Sequence, residues 1–169
     1  MELYFLRHGE AGKRAPVAAR DRERALTAAG REEVEDVAEA MAKSGIGFDL
    51  IATSPLKRAK ETAVIVEKAQ KQKTAFEEWQ ELSPEGSREA LYRKLARLKP
   101  DSAVLCVGHE PYLTTALGEV IGRGGEGSDR LRIALKKGGL AKTVVLGFSP
   151  RINGELRWLM TPKQLRKLA

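Results

Sequence analysis

The stretch that decides the fold is Leu3–Glu10, which opens the chain and reads Leu-Tyr-Phe-Leu-Arg-His-Gly-Glu. Its first four residues are apolar and form a short continuous run that is typical of a buried strand. The run stops at Arg7 and His8, so a cation and an imidazole stand where the predicted strand gives way to a loop. Ligands of open α/β sheets bind outside the carboxyl ends of the strands. The pattern therefore predicts a ligand site at this end of the strand.

The residue types at this point suit a phosphate group. Arg7 offers a planar fork of donors to anionic oxygens. His8 can serve as a nucleophile or as an acid–base group near neutral pH. Gly9 allows a sharp turn of the backbone and is a candidate for the substrate-binding loop. A tripeptide this short also matches by chance, and taken alone it is better explained as ordinary polar residues at a strand end.

A second site of the same kind favours the phosphate site over ordinary polar residues at a strand end. The segment 103–111 is again an apolar run, and it ends in His109 and Glu110. His8 and His109 are the two histidines of the chain, and both follow a buried-strand pattern directly. Chance placement of both is improbable, so the two sites are expected to act together.

The composition indicates an ordinary globular protein. The chain has 169 residues, of which 42% are hydrophobic, so residues 1–169 are expected to form a single domain. The one cysteine, Cys106, lies inside an apolar run and is interpreted as a small core residue; a disulfide framework within a monomer is excluded. We expect neither a signal peptide nor a membrane span, and therefore a cytoplasmic location.

The net charge points to anionic partners. Lys and Arg number 30 against 23 Asp and Glu, a formal charge of +7. Such a charge does not choose among nucleic acid, a phosphoprotein and a phosphorylated metabolite. Aromatic residues make up only 5%, which argues against a platform for stacking single-stranded nucleic acid.

Apolar periodicity and turn residues predict the remaining elements. Further strands are predicted at 48–53, 74–79, 103–107, 131–135, 142–148 and 155–160. Helices are predicted after Thr27, at 55–71, 87–98 and 113–121, and briefly after Thr161. Residues 11–24 are predicted to be a basic surface loop, and the glycine-rich residues 122–128 a flexible loop. Strands that alternate with helices imply an α/β fold with a mostly parallel central sheet.

The predicted sheet brings the polar strand ends together. Arg58 lies in the first turn of the helix after the second strand, where a cation opposes the helix dipole and an anion bound at the helix start would compensate. Because parallel strands end at one edge, Arg58 is expected to meet Arg7, His8 and the pair His109–Glu110. One histidine can then attack phosphorus while the cations neutralise the transferring oxygens. No residue cluster has metal-ligand spacing, so these cations are expected to replace a metal, and no cofactor is predicted.

Four segments in this order resemble the signatures of the histidine phosphatase (phosphoglycerate mutase-like) superfamily. They are residues 6–10 (LRHGE), 26–30 (LTAAG), 54–63 (SPLKRAKETA) and 107–109 (VGH). Residues 81–84 (ELSP) and 158–162 (WLMTP) are similar to the SixA-type phosphohistidine phosphatase branch. The resemblance spans nearly the whole chain and implies a three-layer α/β/α fold.

The resemblance also implies roles for individual residues. His8 would be the nucleophile and become phosphorylated, while Arg7, Arg58 and His109 would bind the phosphoryl group. The family's general acid is a carboxylate whose position varies, and both Glu81 and Glu110 match. The choice between them stays open. SixA-like members need no strong acid, since imidazole leaves phosphohistidine more readily than an alkoxide leaves an ester.

The leading hypothesis is a metal-independent phosphatase of protein phosphohistidine, which would act on a phosphorylated protein of the histidine-relay type in signal transduction. The short chain has little length to spare for a lid, which favours an open site and makes a mutase the weaker reading. One alternative is a phosphatase of small phosphomonoesters with the same fold. Another is a non-catalytic module that binds phosphate or nucleic acid through its positive charge; it does not explain two histidines at strand ends.

Overall fold

The computed structural model describes residues 1–14, 16–122 and 132–168. In chain order, the elements are β1 (Glu2–Arg7), α1 (Ala18–Arg22), α2 (Ala28–Lys43), β2 (Leu50–Thr53), α3 (Lys57–Ala69), β3 (Ala75–Glu78), a 3-10 turn (Gln80–Leu82), α4 (Arg88–Leu95), β4 (Ala103–Gly108), α5 (Tyr112–Ile121), β5 (Leu140–Gly147), β6 (Asn153–Met160) and α6 (Pro162–Leu165).

The six strands form one sheet in the order β3-β2-β4-β1-β5-β6. The strands β3, β2, β4 and β1 are parallel, and β5 runs antiparallel to β1 and to β6. Strand β1 thus lies inside the sheet, with β4 on one side and β5 on the other. The predicted mostly parallel sheet is confirmed, and the carboxyl ends of β1, β2 and β4 meet at one edge.

Alternate residues of β1 face opposite layers. Leu3 and Phe5 belong to an apolar cluster that includes buried residues of α4 and α5. Tyr4 and Leu6 belong to the second cluster, which takes in buried residues of α2, α3 and α6. Because a strand alternates its side chains between the two faces of a sheet, the continuous apolar run fills both layers. The three-layer α/β/α arrangement is confirmed.

The helix starts show why local sequence and fold agree. Thr27 caps α2 by accepting a hydrogen bond from the Gly30 amide at 2.9 Å. Ser87 caps α4 in the same way through the Ala90 amide. Thr161 and Gln164 form a reciprocal capping box on α6. Each cap satisfies an amide that a helix start leaves without an intrahelical partner.

Some predicted boundaries are wrong. The region predicted as a loop at 11–24 contains the short helix α1. Helix α3 begins at Lys57 rather than residue 55, and α4 ends at Leu95 rather than residue 98. The predicted strand at 131–135 is wrong over its described residues 132–135, which form no strand. The carbonyl of Leu135 accepts a hydrogen bond from Arg7. The predicted flexible loop lies outside the described residues from position 123 onward.

Candidate active site

One cavity of about 1050 Å³ opens at the carboxyl edge of the parallel strands. It is lined by Arg7, His8, Arg58, His109 and Glu110 from the sequence-predicted set. Arg7 and His8 lie at the end of β1, and His109 and Glu110 follow β4. Arg58 lies at the start of α3, which follows β2. The structure therefore brings five of the predicted residues to one place. Glu81 is not among the lining residues of this cavity.

His8 is buried at the end of β1, with 7% of its surface exposed. Its backbone amide donates to the carbonyl of Gly108 at the end of β4, which links the two histidine segments. The ring nitrogen Nδ1 lies 2.7 Å from the carbonyl oxygen of Gly9. A carbonyl oxygen only accepts hydrogen bonds, so Nδ1 carries the proton and donates it. The other ring nitrogen, Nε2, therefore holds a lone pair in the neutral ring.

Arg58 points its guanidinium at that lone pair. Its Nε donates to His8 Nε2 at 3.2 Å, and its Nη1 donates to the backbone carbonyl of Asp21 at 3.0 Å. The Asp21 carboxylate lies 3.5 Å from the same Nη1. Arg58 is 4% exposed although it sits in the first turn of α3, as the second helical residue. Its cation is thus held against the nucleophile candidate at an unfavourable end of the helix dipole.

Burial holds both histidines neutral. It lowers the pKa of His8 to about 4, against the opposing effect of the Gly9 carbonyl, and the positive charges of Arg58, Arg7 and Arg24 lower the pKa further. Of these causes, the loss of solvent around the ring is the largest. A neutral His8 keeps Nε2 unprotonated at pH 7, and the hydrogen bond from Arg58 Nε holds the ring in place.

His109 lies beside His8, with the two ring centroids 5.1 Å apart. Burial lowers the pKa of His109 to about 3; protonation of the neighbouring His8 would lower it further, and the positive charges of Arg58 and Arg24 add to the effect. Its Nε2 lies 2.8 Å from the hydroxyl of Ser54, whereas its Nδ1 is buried with no hydrogen-bond partner among the described residues. A neutral imidazole still carries one N–H, so His109 can act as a donor.

Arg7 is anchored by one nitrogen and leaves another unpartnered. Its Nη1 donates to the carbonyl of Leu135 at 2.9 Å. Its Nε is buried and has no hydrogen-bond partner in the described part of the chain. Buried donors without partners are rare in folded proteins, and here two of them, Arg7 Nε and His109 Nδ1, belong to residues of one cavity. That arrangement suits an anion with several oxygens.

Gly9 does not adopt the left-handed backbone conformation that favours glycine. Its lack of a side chain instead lets α2 approach the segment closely. A Cβ added at Gly9 would lie 2.5 Å from Val34 Cγ2 and 3.0 Å from the carbonyl of Gly30. The amide of Gly9 donates to the Thr62 hydroxyl at 3.1 Å. The expected role in backbone turning is therefore replaced by a packing role that fixes the segment after His8.

The two carboxylate candidates differ in surroundings. Burial raises the pKa of Glu110, against the lowering effects of the Thr114 hydrogen bond and of Arg7. Its Oε2 accepts from the Thr114 hydroxyl at 2.6 Å, and its Oε1 is buried without a partner in the described residues. Burial alone would raise the pKa of Glu81, but the hydrogen bond and charge of Lys94 at 2.8 Å hold it below its ordinary value.

Sequence reasoning missed several residues of the site. Asp21 joins Arg58 to Arg24, whose Nε lies 3.0 Å from the Asp21 carboxylate. The Ser54 hydroxyl accepts a hydrogen bond from the Leu56 amide at 3.3 Å and also lies 2.8 Å from His109 Nε2. Glu85 also lines the cavity. Ser54 lies in a quoted signature segment, but nothing in the local sequence distinguishes Asp21 or Glu85 from solvated surface charges.

No helix in the described part of the chain has the length and apolar character needed to cross a membrane. Cys106 is fully buried in the core, as predicted, and burial raises the pKa of its thiol to about 12. Within residues 1–14, 16–122 and 132–168, no group of three or more His, Cys, Asp or Glu side chains is arranged to hold a metal ion.

A family model described as the histidine phosphatase superfamily (branch 1) matches residues 3–90. An uncharacterized protein of Picosynechococcus sp. is 36% identical over an alignment of 169 positions that covers 98% of this chain and 99% of that protein. The chain therefore belongs to the histidine phosphatase superfamily, branch 1.

Comparison with solved structures narrows the assignment within the superfamily. The protein histidine phosphatase SixA in complex with tungstate has a TM-score of 0.81 and 25% identity, over 98% of this chain and 99% of that chain. A structure from Agrobacterium tumefaciens assigned to SixA has a TM-score of 0.76 and 25% identity, over 95% and 97% of the two chains. The chain is thus of the SixA type within the superfamily, and these similarities support phosphatase activity.

A more distant neighbour shows the breadth of the fold. A mycobacterial glucosyl-3-phosphoglycerate phosphatase in complex with inorganic phosphate has a TM-score of 0.70 and 18% identity, over 96% of this chain and 98% of that chain. At this identity the likeness concerns the fold alone. The fold thus accommodates phosphatases of different substrates.

Proposed function

We propose that this protein is a metal-independent phosphatase of protein phosphohistidine and that it works through a phospho-His8 intermediate. The observation that carries the proposal is the His8 ring, which is neutral, donates Nδ1–H to Gly9, and directs the lone pair of Nε2 toward Arg58. The SixA structure that covers nearly all of both chains supports protein phosphohistidine as the substrate class.

In the first step, the Nε2 lone pair of His8 attacks phosphorus and a new N–P bond forms. The P–N bond to the substrate histidine breaks, and the departing imidazole nitrogen takes a proton. Glu110 supplies that proton, because its raised pKa favours the protonated carboxyl and it lines the cavity. Arg7, Arg58 and His109 donate hydrogen bonds to the phosphoryl oxygens and stabilise the charge of the transition state.

In the second step, water attacks the phosphorus of phospho-His8 and the N–P bond breaks. The carboxylate of Glu110 accepts a proton from this water, so the acid of the first step becomes the base of the second. Inorganic phosphate leaves, and His8 returns to its neutral form. The reaction balances without an external reductant, oxidant or cofactor, and the donors around the phosphoryl group supply the positive charge.

The proposal is tested with purified protein, a histidine-phosphotransfer protein phosphorylated on histidine, and a panel of sugar phosphates, each with and without EDTA. Release of phosphate from the phosphohistidine protein is expected to be the fastest reaction, and the chelator is expected to leave it unchanged. Turnover of the small esters alone would support the phosphomonoester alternative. Salt-sensitive nucleic-acid binding without any phosphatase activity would support the binding module.

A further inference from the structure

The cavity carries more positive charge than the phosphoryl group needs. Besides Arg7 and Arg58, four cations line it: Arg14, Arg22, Arg24 and Lys137. Arg24 is engaged by Asp21 and by the carbonyl of Gly12. Arg14, Arg22 and Lys137 are exposed, and we call these three residues the cationic rim.

The rim residues form few interactions within the protein. Lys137 pairs with Glu10 at 3.1 Å, and both side chains are roughly half exposed, so water screens that pair. Within the described part of the chain, Arg14 and Arg22 form no ion pair, and both are exposed. Two guanidiniums therefore face solvent at the mouth of a cavity whose floor is already cationic.

The segment that carries Arg22 contributes nothing to the core. Helix α1 has no buried residue, and Val17, which precedes it, is 53% exposed. The segment is attached to the floor of the cavity through Asp21, which contacts Arg58 and Arg24. Its remaining side chains are thus presented to solvent from a fixed position next to the site.

Cations outnumber carboxylates in the lining of the cavity, by six to three. Its acidic lining residues other than Asp21 are Glu85 and Glu110, which follow β3 and β4. The rim residues belong to the segments that follow β1 and precede β5, and these two strands are neighbours in the sheet. A substrate that enters the cavity therefore meets a lining that is mostly positive.

We propose that the cationic rim binds acidic side chains that flank the phosphohistidine of a protein substrate, with Val17 as an apolar contact in the same surface. This inference rests on the proposed function and adds the kind of substrate surface, an acidic one, that the enzyme selects. Complementary charge at exposed positions raises the association rate and rejects partners of like charge, so its effect belongs in kcat/KM.

The test uses two synthetic phosphohistidine peptides of equal length, one flanked by Asp and Glu and the other by Lys, with free phosphohistidine as a common reference. Wild-type protein is expected to prefer the acidic peptide by about tenfold in kcat/KM, and 0.5 M salt is expected to remove most of the preference. The double variant Arg14→Glu/Arg22→Glu is expected to abolish or invert the preference. Lys71→Glu/Lys73→Glu is the matched double charge reversal at exposed positions beyond the far end of α3, roughly 20 Å along that helix from its start, and is expected to keep the preference.

Equal turnover of both peptides by wild-type protein would overturn the inference and leave the proposed function standing. An equal loss on free phosphohistidine and on both peptides in the double variant would also overturn it, because the rim would then act on the phosphoryl group itself. If neither peptide nor free phosphohistidine is hydrolysed while phosphoesters are, the proposed function fails and the inference fails with it.

Discussion

At the scale of single residues, the two histidines have different hydrogen-bond partners although their ring centroids lie 5.1 Å apart. His8 donates its Nδ1 proton to the Gly9 carbonyl, which leaves the lone pair on Nε2. His109 pairs with the Ser54 hydroxyl through Nε2, and its Nδ1 has no partner in the described residues. The first histidine is therefore suited to attack and the second to hold the phosphoryl oxygens.

This difference predicts distinct effects for the replacement of each histidine by alanine. His8→Ala is expected to abolish the covalent intermediate, whereas His109→Ala is expected to slow its formation and breakdown by about 10²-fold while the attachment site remains. Quenching without acid, followed by mass spectrometry, should find the added phosphoryl group on the peptide that contains His8. A phosphoryl group trapped on His109, or full activity of His8→Ala, would contradict the mechanism.

The carboxylates allow a second prediction at this scale. Glu110→Gln is expected to lower kcat by about 10²–10³-fold on substrates with poor leaving groups, because the amide cannot give up a proton, and by less on phosphohistidine. Glu81→Gln is its matched control, since Glu81 pairs with Lys94 and lies outside the cavity lining. Rates with phosphohistidine and with an alkyl phosphate decide between them. A larger loss in Glu81→Gln would move the acid to that residue.

At the scale of elements, the site depends on how closely the segment after β1 approaches α2. Gly30 in α2 contacts the backbone of Glu10, and a Cβ there would lie 2.1 Å from the Glu10 carbonyl oxygen. That oxygen also accepts a hydrogen bond from the Thr27 amide at 2.9 Å. The backbone two residues beyond His8 is thus held against the first turn of a helix.

Gly30→Ala is therefore expected to destabilise the protein by about 1–3 kcal/mol in urea unfolding, in spite of the better helix propensity of alanine. It should also lower kcat, since the displaced backbone carries His8. The matched control is Ala29→Gly at the exposed neighbouring position, with an expected cost of about 1 kcal/mol or less and an unchanged kcat. If propensity alone governed position 30, the alanine variant would be more stable than the parent.

Elements also explain how far the sequence predicts this fold. The apolar runs of β1 and β4 and the signature at the start of α3 are local, so they predict which strands end at the site. The short helix α1 buries nothing and has no apolar periodicity, so no pattern reveals it. Asp21 and Ser54 matter through partners 37 and 55 residues away, and separations of that kind are invisible to local reasoning. The roles of His8, Arg7, Arg58, His109 and the carboxylates stay predictions.

At the scale of the whole molecule, burying two neutral histidines next to arginines links the stability of the fold to pH. The pKa of His8 is about 4 in the folded protein, against an ordinary value of 6.5, and that of His109 is about 3. Between pH 6.5 and 4 the unfolded chain therefore binds protons that the folded chain does not. Stability is then highest above pH 6.5 and is lost as the pH falls through this window.

The expected loss is about 3 kcal/mol for His8 alone between pH 6.5 and 4, and the contribution of His109 is not simply additive because the two rings interact. Urea unfolding at a series of pH values measures it. The raised pKa of Glu110 acts with the opposite sign, since a carboxyl that is more readily protonated in the folded state gains stability as the pH falls. The histidine effect is therefore read best between pH 6.5 and 5, where few carboxylates titrate.

A variant with both rings replaced, His8→Asn/His109→Gln, provides the control, because neither side chain titrates. Its unfolding free energy is expected to vary little between pH 6.5 and 5, and the protein should become more stable than the parent near pH 5 even though it is inactive. Such a gain would show that the two buried histidines lower the free energy of unfolding at acid pH. A parent protein whose stability stays constant over this range would mean that the histidines protonate in the folded state with ordinary pKa values, and the neutral nucleophile argued above would lose its basis.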